Sequence, residues 1–186
     1  MPCFSRGEIL LPRSAFLPQW PVVACDQFTS QPAYWQRVEA QVGSAPSSLR
    51  LILPEARLGT ADEAAEIAAV HRNMEDYLAT GVLRSLADSF VYVERTLPDG
   101  RVRRGLVGRI DLEAYDWRPG SQTPVRATEG TVADRLPPRI RVRQGAALEL
   151  PHVLLLADDP EDLLLGPIAA QRDGLPPLYR TEPMEQ

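Results

Sequence analysis

Phe90–Leu112, FVYVERTLPDGRVRRGLVGRIDL, is the stretch that decides the fold class. Two runs within it, Phe90 to Leu97 and Val102 to Leu112, alternate apolar and polar side chains with the two-residue period of a half-buried strand. Pro98-Asp99-Gly100 between them is turn chemistry, so the sequence predicts an antiparallel hairpin. In the second run Leu106, Gly108, Ile110 and Leu112 share one face, and Val107, Arg109 and Asp111 share the other.

Working outward, Ala61 to Thr80 reads as the clearest helix. Ala64, Ile67, Ala68, His71, Met74 and Leu78 recur at helical spacing, and Gly81 supplies the stop. A second helix is expected from a Thr29 or Ser30 cap, through Pro32 in its first turn, to Val42 before Gly43. Pro160 to Ala170 is expected as a third, with Asp158 and Asp159 as caps. Short apolar runs at Pro21–Cys25, Leu49–Leu53 and Val153–Ala157 read as buried strands. Helices and strands intermix, so the fold class is α+β or mixed α/β, with a mixed sheet, an antiparallel hairpin at about 90–112 and about three helices. Residues 1–170 read as a single domain and 171–186, which lack periodicity, as a tail or linker.

The chain has 186 residues and a formal net charge of −5. That balance argues against general nucleic-acid binding, which needs a broad basic surface. No apolar run approaches the roughly 18 residues of a membrane span, and the N-terminus lacks a signal-peptide pattern. The expectation is a cytoplasmic protein, and the sparse cysteines, Cys3 and Cys25, fit that compartment. The scattered His and Cys residues have no zinc spacing, and no metal ligand set is assigned. Every one of the 20 basic side chains is arginine. Lysine chemistry is therefore excluded, and any phosphate must be held by arginine, backbone N–H groups or a metal.

Against this acidic background stands Arg126–Arg143, RATEGTVADRLPPRIRVR, with five arginines. Arginine is suited to a two-pronged grip on phosphate or carboxylate. Pro137 and Pro138 bar a helix from crossing the segment, and Gly130 to Arg135 has room for one helical turn before them. Beyond them Arg139, Arg141 and Arg143 alternate with Ile140 and Val142, which reads as an extended edge strand with three guanidiniums on one face. Two readings stand. Either the arginines are a solvated row paired with carboxylates such as Glu129, Asp134 and Glu149, or some of them converge with Gly130 and Thr131 on an anion. The ion-paired reading is stronger for Arg141 and Arg143, the anion-binding one for Arg126, Arg135 and Arg139.

Among other candidates, His152 precedes an expected strand, where a histidine can act as acid or base. Asp26 ends an apolar run and opens a polar loop. His71, on the apolar stripe of its helix, reads as a packed histidine, and Cys25 as buried and inert. No phosphate-loop pattern, GxGxxG, HExxH or GxSxG occurs.

The segments WPVVACDQFTSQPAYWQRVE, LRLILPE, VYVERTLPDGRVRRGLVGRIDLEAYDW, RATEGTVADRLPPRIRVR and ALELPHVLLL, in this order, resemble the N-terminal half of the bacterial family called domain of unknown function 1015. Members are longer, and their later half carries an Asp-Gly-Asn-His or Asp-Gly-His-His motif similar to one in the ParB and sulfiredoxin-like superfamily, which includes free serine kinases. This sequence has no such motif. The resemblance implies the N-terminal half of a nucleotide-dependent phosphotransferase acting on a small hydroxy amino acid such as serine, with ATP or ADP and Mg²⁺. Catalytic roles would fall to Asp26, Glu129 and His152. Arg126, Thr128, Gly130, Thr131, Arg135 and Arg139 would bind the phosphate, and Gln27 is a further matching position. The alternatives are a non-catalytic module that binds an anionic metabolite, and a structural half that pairs with a C-terminal partner or with another copy of itself. The expected partner is a small anionic metabolite, with no nucleic acid and no membrane.

Overall fold

The computed structural model describes residues 3–150 and 153–180. In chain order the elements are β1 (Phe4–Ser5), β2 (Gly7–Pro12), α1 (Pro32–Val42), α2 (Glu63–Ala79), β3 (Leu83–Ser89), β4 (Val91–Thr96), β5 (Val102–Val107), β6 (Arg109–Ile110), β7 (Tyr115–Asp116), β8 (Val125–Arg126), α3 (Leu136–Arg143) and α4 (Gly166–Ala170), with short 3₁₀ turns between. The class is α+β, built from helices and two-stranded pairs. The chain forms two compact units: Met1–Leu10, Ser85–Thr131 and Leu155–Leu178 in the first, and Leu11–Arg84, Val132–Leu154 and Tyr179–Gln186 in the second.

The second unit holds the buried core. Leu51, Val70, Met74, Tyr77, Val82 and Leu83 make one cluster, and Trp35, Val38, Val42 and Leu49 make another. Helix α1 starts with proline in its first turn, as expected, but its cap position is Gln31, which makes no side-chain cap. Gly43 ends it at φ +58, a left-handed conformation glycine adopts without Cβ strain. Helix α2 keeps the expected span and stop, yet buries Val70, Met74 and Tyr77. The stripe expected through Ala64 and Leu78 is rotated, and Leu78 is exposed. The alanines carry little burial energy, so the bulk of Val70 and Tyr77 decides which face turns inward.

Three apolar runs expected as strands are not strands. Pro21–Cys25 has no regular structure. Ser48–Leu51 is a 3₁₀ turn, because the Ser47 hydroxyl accepts from the Leu49 N–H at 3.2 Å and opens a helical rather than extended path. At Val153–Ala157 the described residues form no strand, and Val153, Leu154 and Leu156 are at least 75 % exposed. A short apolar run becomes a strand only where another strand pairs with it, and periodicity alone cannot reveal that.

The first unit carries the hairpin. β4 and β5 pair antiparallel from Val91↔Val107 to Thr96↔Val102. Gly100 has φ +83, and Asp99 accepts from the Arg101 N–H at 3.0 Å, so the Pro-Asp-Gly turn forms as read. The second run does not continue to Leu112 as one strand. After Gly108 the chain changes partner, and β6 pairs with β1 (Phe4↔Ile110, Ser5↔Arg109). A Cβ at Gly108 would lie 2.6 Å from Phe4 Cζ, 2.8 Å from Phe90 Cε1 and 2.8 Å from the Ser5 carbonyl. Glycine is therefore what lets the backbone approach the stacked Phe4–Phe90 pair. The expected helix at Pro160–Ala170 is reduced to Gly166–Ala170. Asp159 spends its carboxylate on the N–H groups of Leu163 and Leu164, closing a separate turn, and Gly166-Pro167 starts the helix anew.

Candidate functional site

The arginine segment folds as a helix from Leu136, not as an edge strand. Pro137 and Pro138 fall in the first turn of α3, where an absent N–H leaves no intrahelical bond unmade. They thus begin the helix that they were read as preventing. The two prolines also remove donors from that turn, so the start of α3 offers little backbone N–H to an anion. One 3₁₀ turn, Ala133–Arg135, precedes it.

Helical geometry sends the three downstream arginines in different directions. Arg141 Nε donates to Glu63 Oε1 at 2.7 Å, and the Gly59 N–H donates to the other Glu63 oxygen at 2.5 Å. Both bonds hold the Glu63 carboxyl below its usual range, the Arg141 bond most. Arg143 meets Glu149 at 3.2 Å. These two are ion-paired, as read, although on a helix. His71 on α2 contacts the Val142 carbonyl through Nε2 at 2.8 Å. It is a packed histidine that fastens α3.

Arg139 differs. Its NH2 lies 3.7 Å from Asp26 Oδ2 and 3.6 Å from Glu55 Oε2, so the fold brings together two sequence-predicted residues, Asp26 and Arg139. Charge-assisted hydrogen bonds of this type run at about 2.7–2.9 Å. At its longer distances Arg139 is held by charge more than by directed bonds, and about half its side chain is exposed. The Glu55 N–H donates to the Cys25 carbonyl at 2.8 Å and ties the Asp26 loop to the turn that carries Glu55. Phe28, at φ +52, reverses the chain just after Asp26 and Gln27, with its ring stacked on Tyr34 at 4.0 Å. Beside them, burial first and then the Asp26 charge push the Cys25 thiol upward, so it is a poor nucleophile. Glu55 was missed in the sequence. Its only local signal is its place directly after Pro54, next to an expected strand end.

The remaining candidates are dispersed. Arg135 is the exposed N-cap residue of α3 and, among the described residues, makes no ion pair. Arg126 lies in β8 of the first unit, opposite Asp116 in a parallel pair, but the Asp116 carboxylate is engaged by Arg118 at 2.8–3.1 Å. Thr128, Glu129, Gly130 and Thr131 form an exposed segment of the same unit. A Cβ at Gly130 would meet nothing within 4 Å, and its φ is not positive, so no close backbone approach demands glycine there. His152 lies outside the described residues. Among the described residues no group of three or more His, Cys, Asp or Glu side chains is arranged to hold a metal. No described helix is long and apolar enough to cross a membrane.

Fold and site together define an α+β protein with a helix-borne arginine held loosely between two carboxylates. The family model described as protein of unknown function (DUF1015) matches residues 9–186, and the chain belongs to that family. No curated protein and no solved structure matches it.

Proposed function

We propose that this chain is the phosphate-handling part of a small-molecule phosphotransferase, centred on Arg139, Asp26 and Glu55. The observation that carries the reading is the Arg139 guanidinium, drawn between two carboxylates at 3.6–3.7 Å without a short hydrogen bond to either. A group held this way exchanges partners at little cost, because half-exposed pairs are worth only about 0–1 kcal/mol. A phosphate would engage Arg139 in two-pronged fashion. Mg²⁺ is commonly held by one or two carboxylates plus substrate phosphates. Glu55 fits that role, with Asp26 taking the proton of the accepting hydroxyl as its oxygen attacks the phosphorus and the bond to the departing nucleotide breaks. A hydroxy amino acid as acceptor and ATP or ADP as nucleotide are assigned by analogy with longer family members, whose Asp-Gly-Asn-His or Asp-Gly-His-His motif, similar to one in a superfamily that includes free serine kinases, does not occur in this sequence.

Calorimetric titration with Mg·ATP, Mg·ADP, inorganic phosphate and phosphoserine tests it. At least one should bind the wild-type chain. Charge-assisted contacts are worth about 1.5–3 kcal/mol, so Arg139→Ala should weaken binding roughly 10- to 100-fold. Arg101→Ala, in the exposed hairpin turn, should change nothing. No heat from any ligand, or wild-type affinity in a folded Arg139→Ala, would overturn the proposal.

A second reading, a structural part that further polypeptide completes, is favoured by the exposed Val153–Leu156 run. It predicts uptake of a hydrophobic-surface dye that falls when Leu154 and Leu156 are replaced by serine.

A further inference from the structure

The hairpin of the first unit leaves the charges on one of its faces without partners. β4 and β5 pair so that Arg95 stands directly opposite Arg103, and Val93 opposite Gly105. Residues opposed in this way share a face, with Cβ atoms about 4.5–5.5 Å apart. The two strands and their turn carry four arginines and two carboxylates. Both carboxylates are taken by other arginines. Asp99 holds Arg101 at 2.6 Å in the turn. Glu94, on the opposite face, meets Arg104 at 3.6 Å and Arg172 at 2.9 Å, and accepts from the Tyr92 hydroxyl at 3.0 Å. Arg95 and Arg103 are exposed and, among the described residues, make no ion pair.

Like charges directly opposite each other weaken a sheet, and an interior glycine weakens it again. Here the two occur side by side on one face. The backbone does not require glycine at position 105: its φ is not positive, and a Cβ there would meet nothing within 4 Å. A strand glycine of this kind leaves room for another chain to come close. Val93, 44 % exposed, stands across from that opening. The Val93–Gly105 pair lies two residues from the Arg95–Arg103 pair, about 6.8 Å along the strands. An extended peptide repeats its same-side side chains at that same interval. Two guanidiniums are too few for a nucleic-acid backbone, on which affinity grows with each phosphate neutralised. They suit one carboxylate, gripped from two sides.

We propose that this face binds an extended acidic peptide of a partner protein, with an apolar side chain and a carboxylate two residues apart. The carboxylate bridges Arg95 and Arg103, and the apolar side chain rests on Val93 in the space that Gly105 leaves open. This site is independent of the Arg139 reading, and a failed phosphate titration leaves it standing.

The test is a heteronuclear NMR titration of the full chain with three capped, otherwise Gly/Ser heptapeptides: valine and glutamate two residues apart, valine and glutamate adjacent, and valine and glutamine two residues apart. The first should bind saturably and shift the amides of Val93, Arg95, Arg103 and Gly105. The other two, with the carboxylate on the wrong side or missing, should bind at least about fivefold more weakly. Arg95→Gln and Arg103→Gln should each weaken the first peptide by a similar factor, while the ligand-free protein melts at or above the wild-type temperature because a repulsion is relieved. Gly105→Thr should also weaken binding without loss of stability, since its Cβ fills open space. Arg37→Gln, exposed on α1, removes the same charge and should bind as wild type. The proposal falls if the first peptide does not saturate, if either of the other two binds as well, if an oligothymidylate of equal length binds more tightly, or if both folded arginine variants keep wild-type affinity.

Discussion

Tyr77→Phe removes one oxygen from the protein's core and strands one backbone donor. The Tyr77 hydroxyl accepts from the Ser47 N–H at 3.1 Å, and both residues are buried, Ser47 completely. Ser47 is the hinge of its turn: its own hydroxyl donates to the Trp20 carbonyl at 3.2 Å and accepts from the Leu49 N–H. Without the tyrosine oxygen the Ser47 N–H stays out of water with no partner, at a cost of about 1–3 kcal/mol. The aromatic ring, tilted against Trp20 at 6.0 Å, keeps its packing in phenylalanine. For chains of this size each kcal/mol moves the melting temperature by roughly 2–4 °C, so a loss of about 2 kcal/mol lowers it by roughly 4–8 °C. Tyr77→Ala should fall further, because losing the whole ring costs about 3–5 kcal/mol in comparable cores. Thermal melts by circular dichroism at neutral pH measure both. A Tyr77→Phe melt superimposable on wild type would refute the reasoning, since it would mean the Ser47 N–H finds another partner or water. The same variant bears on alkaline stability. Burial raises the Tyr77 hydroxyl above its ordinary value of 10.0, outweighing the Ser47 bond, which lowers it. The folded state thus favours the neutral phenol more than the unfolded chain does. This share of stability is complete below pH 10 and is lost as pH climbs through the raised value. Tyr77→Phe should flatten that part of the alkaline decline and leave the part due to Tyr92, which burial also raises.

Gly108→Ala places a methyl group within 2.6–2.8 Å of Phe4, Phe90 and the Ser5 carbonyl. It should cost about 1–3 kcal/mol as an overpacked site and selectively speed amide exchange in β1 and β6; unchanged exchange there would count against a glycine-dependent partner switch. Asp116, held down to about 2 chiefly by the Arg118 side chain, should titrate near that value by carbon-detected NMR, and Arg118→Ala should move it up toward 3.8. The sign follows from a lowered folded value: its contribution is present above the ordinary carboxyl range and disappears as pH falls through about 2.

The sequence carried the parts of this protein that local chemistry encodes. Pro32 and Gly43 bracket α1 because each restricts or frees φ at its own position. The Pro-Asp-Gly turn sets the hairpin because Gly100 tolerates a positive φ and Asp99 bonds its own neighbourhood. The prominence of Arg126–Arg143 was also legible, as an arginine cluster in an acidic chain.

What only the tertiary structure decided are pairings between residues far apart in sequence. Alternation of Arg139, Arg141 and Arg143 with Ile140 and Val142 favours a strand. The segment is a helix because α3 docks through Arg141 to Glu63 and through the Val142 carbonyl to His71. Once it is helical, the three guanidiniums fan out, and only Arg139 reaches Asp26 and Glu55. The apolar runs at Pro21–Cys25, Leu49–Leu53 and Val153–Ala157 have strand composition, but among the described residues no strand pairs with them. The change of partner at Gly108 depends on two phenylalanine rings, one of them distant in the chain. A residue's local preferences are written beside it. The carboxylate, ring or strand that meets it is set by the packed chain, and for that reason α1, α2 and the hairpin could be read in advance, whereas the helical state of α3 and the meeting of Arg139 with Asp26 and Glu55 could not.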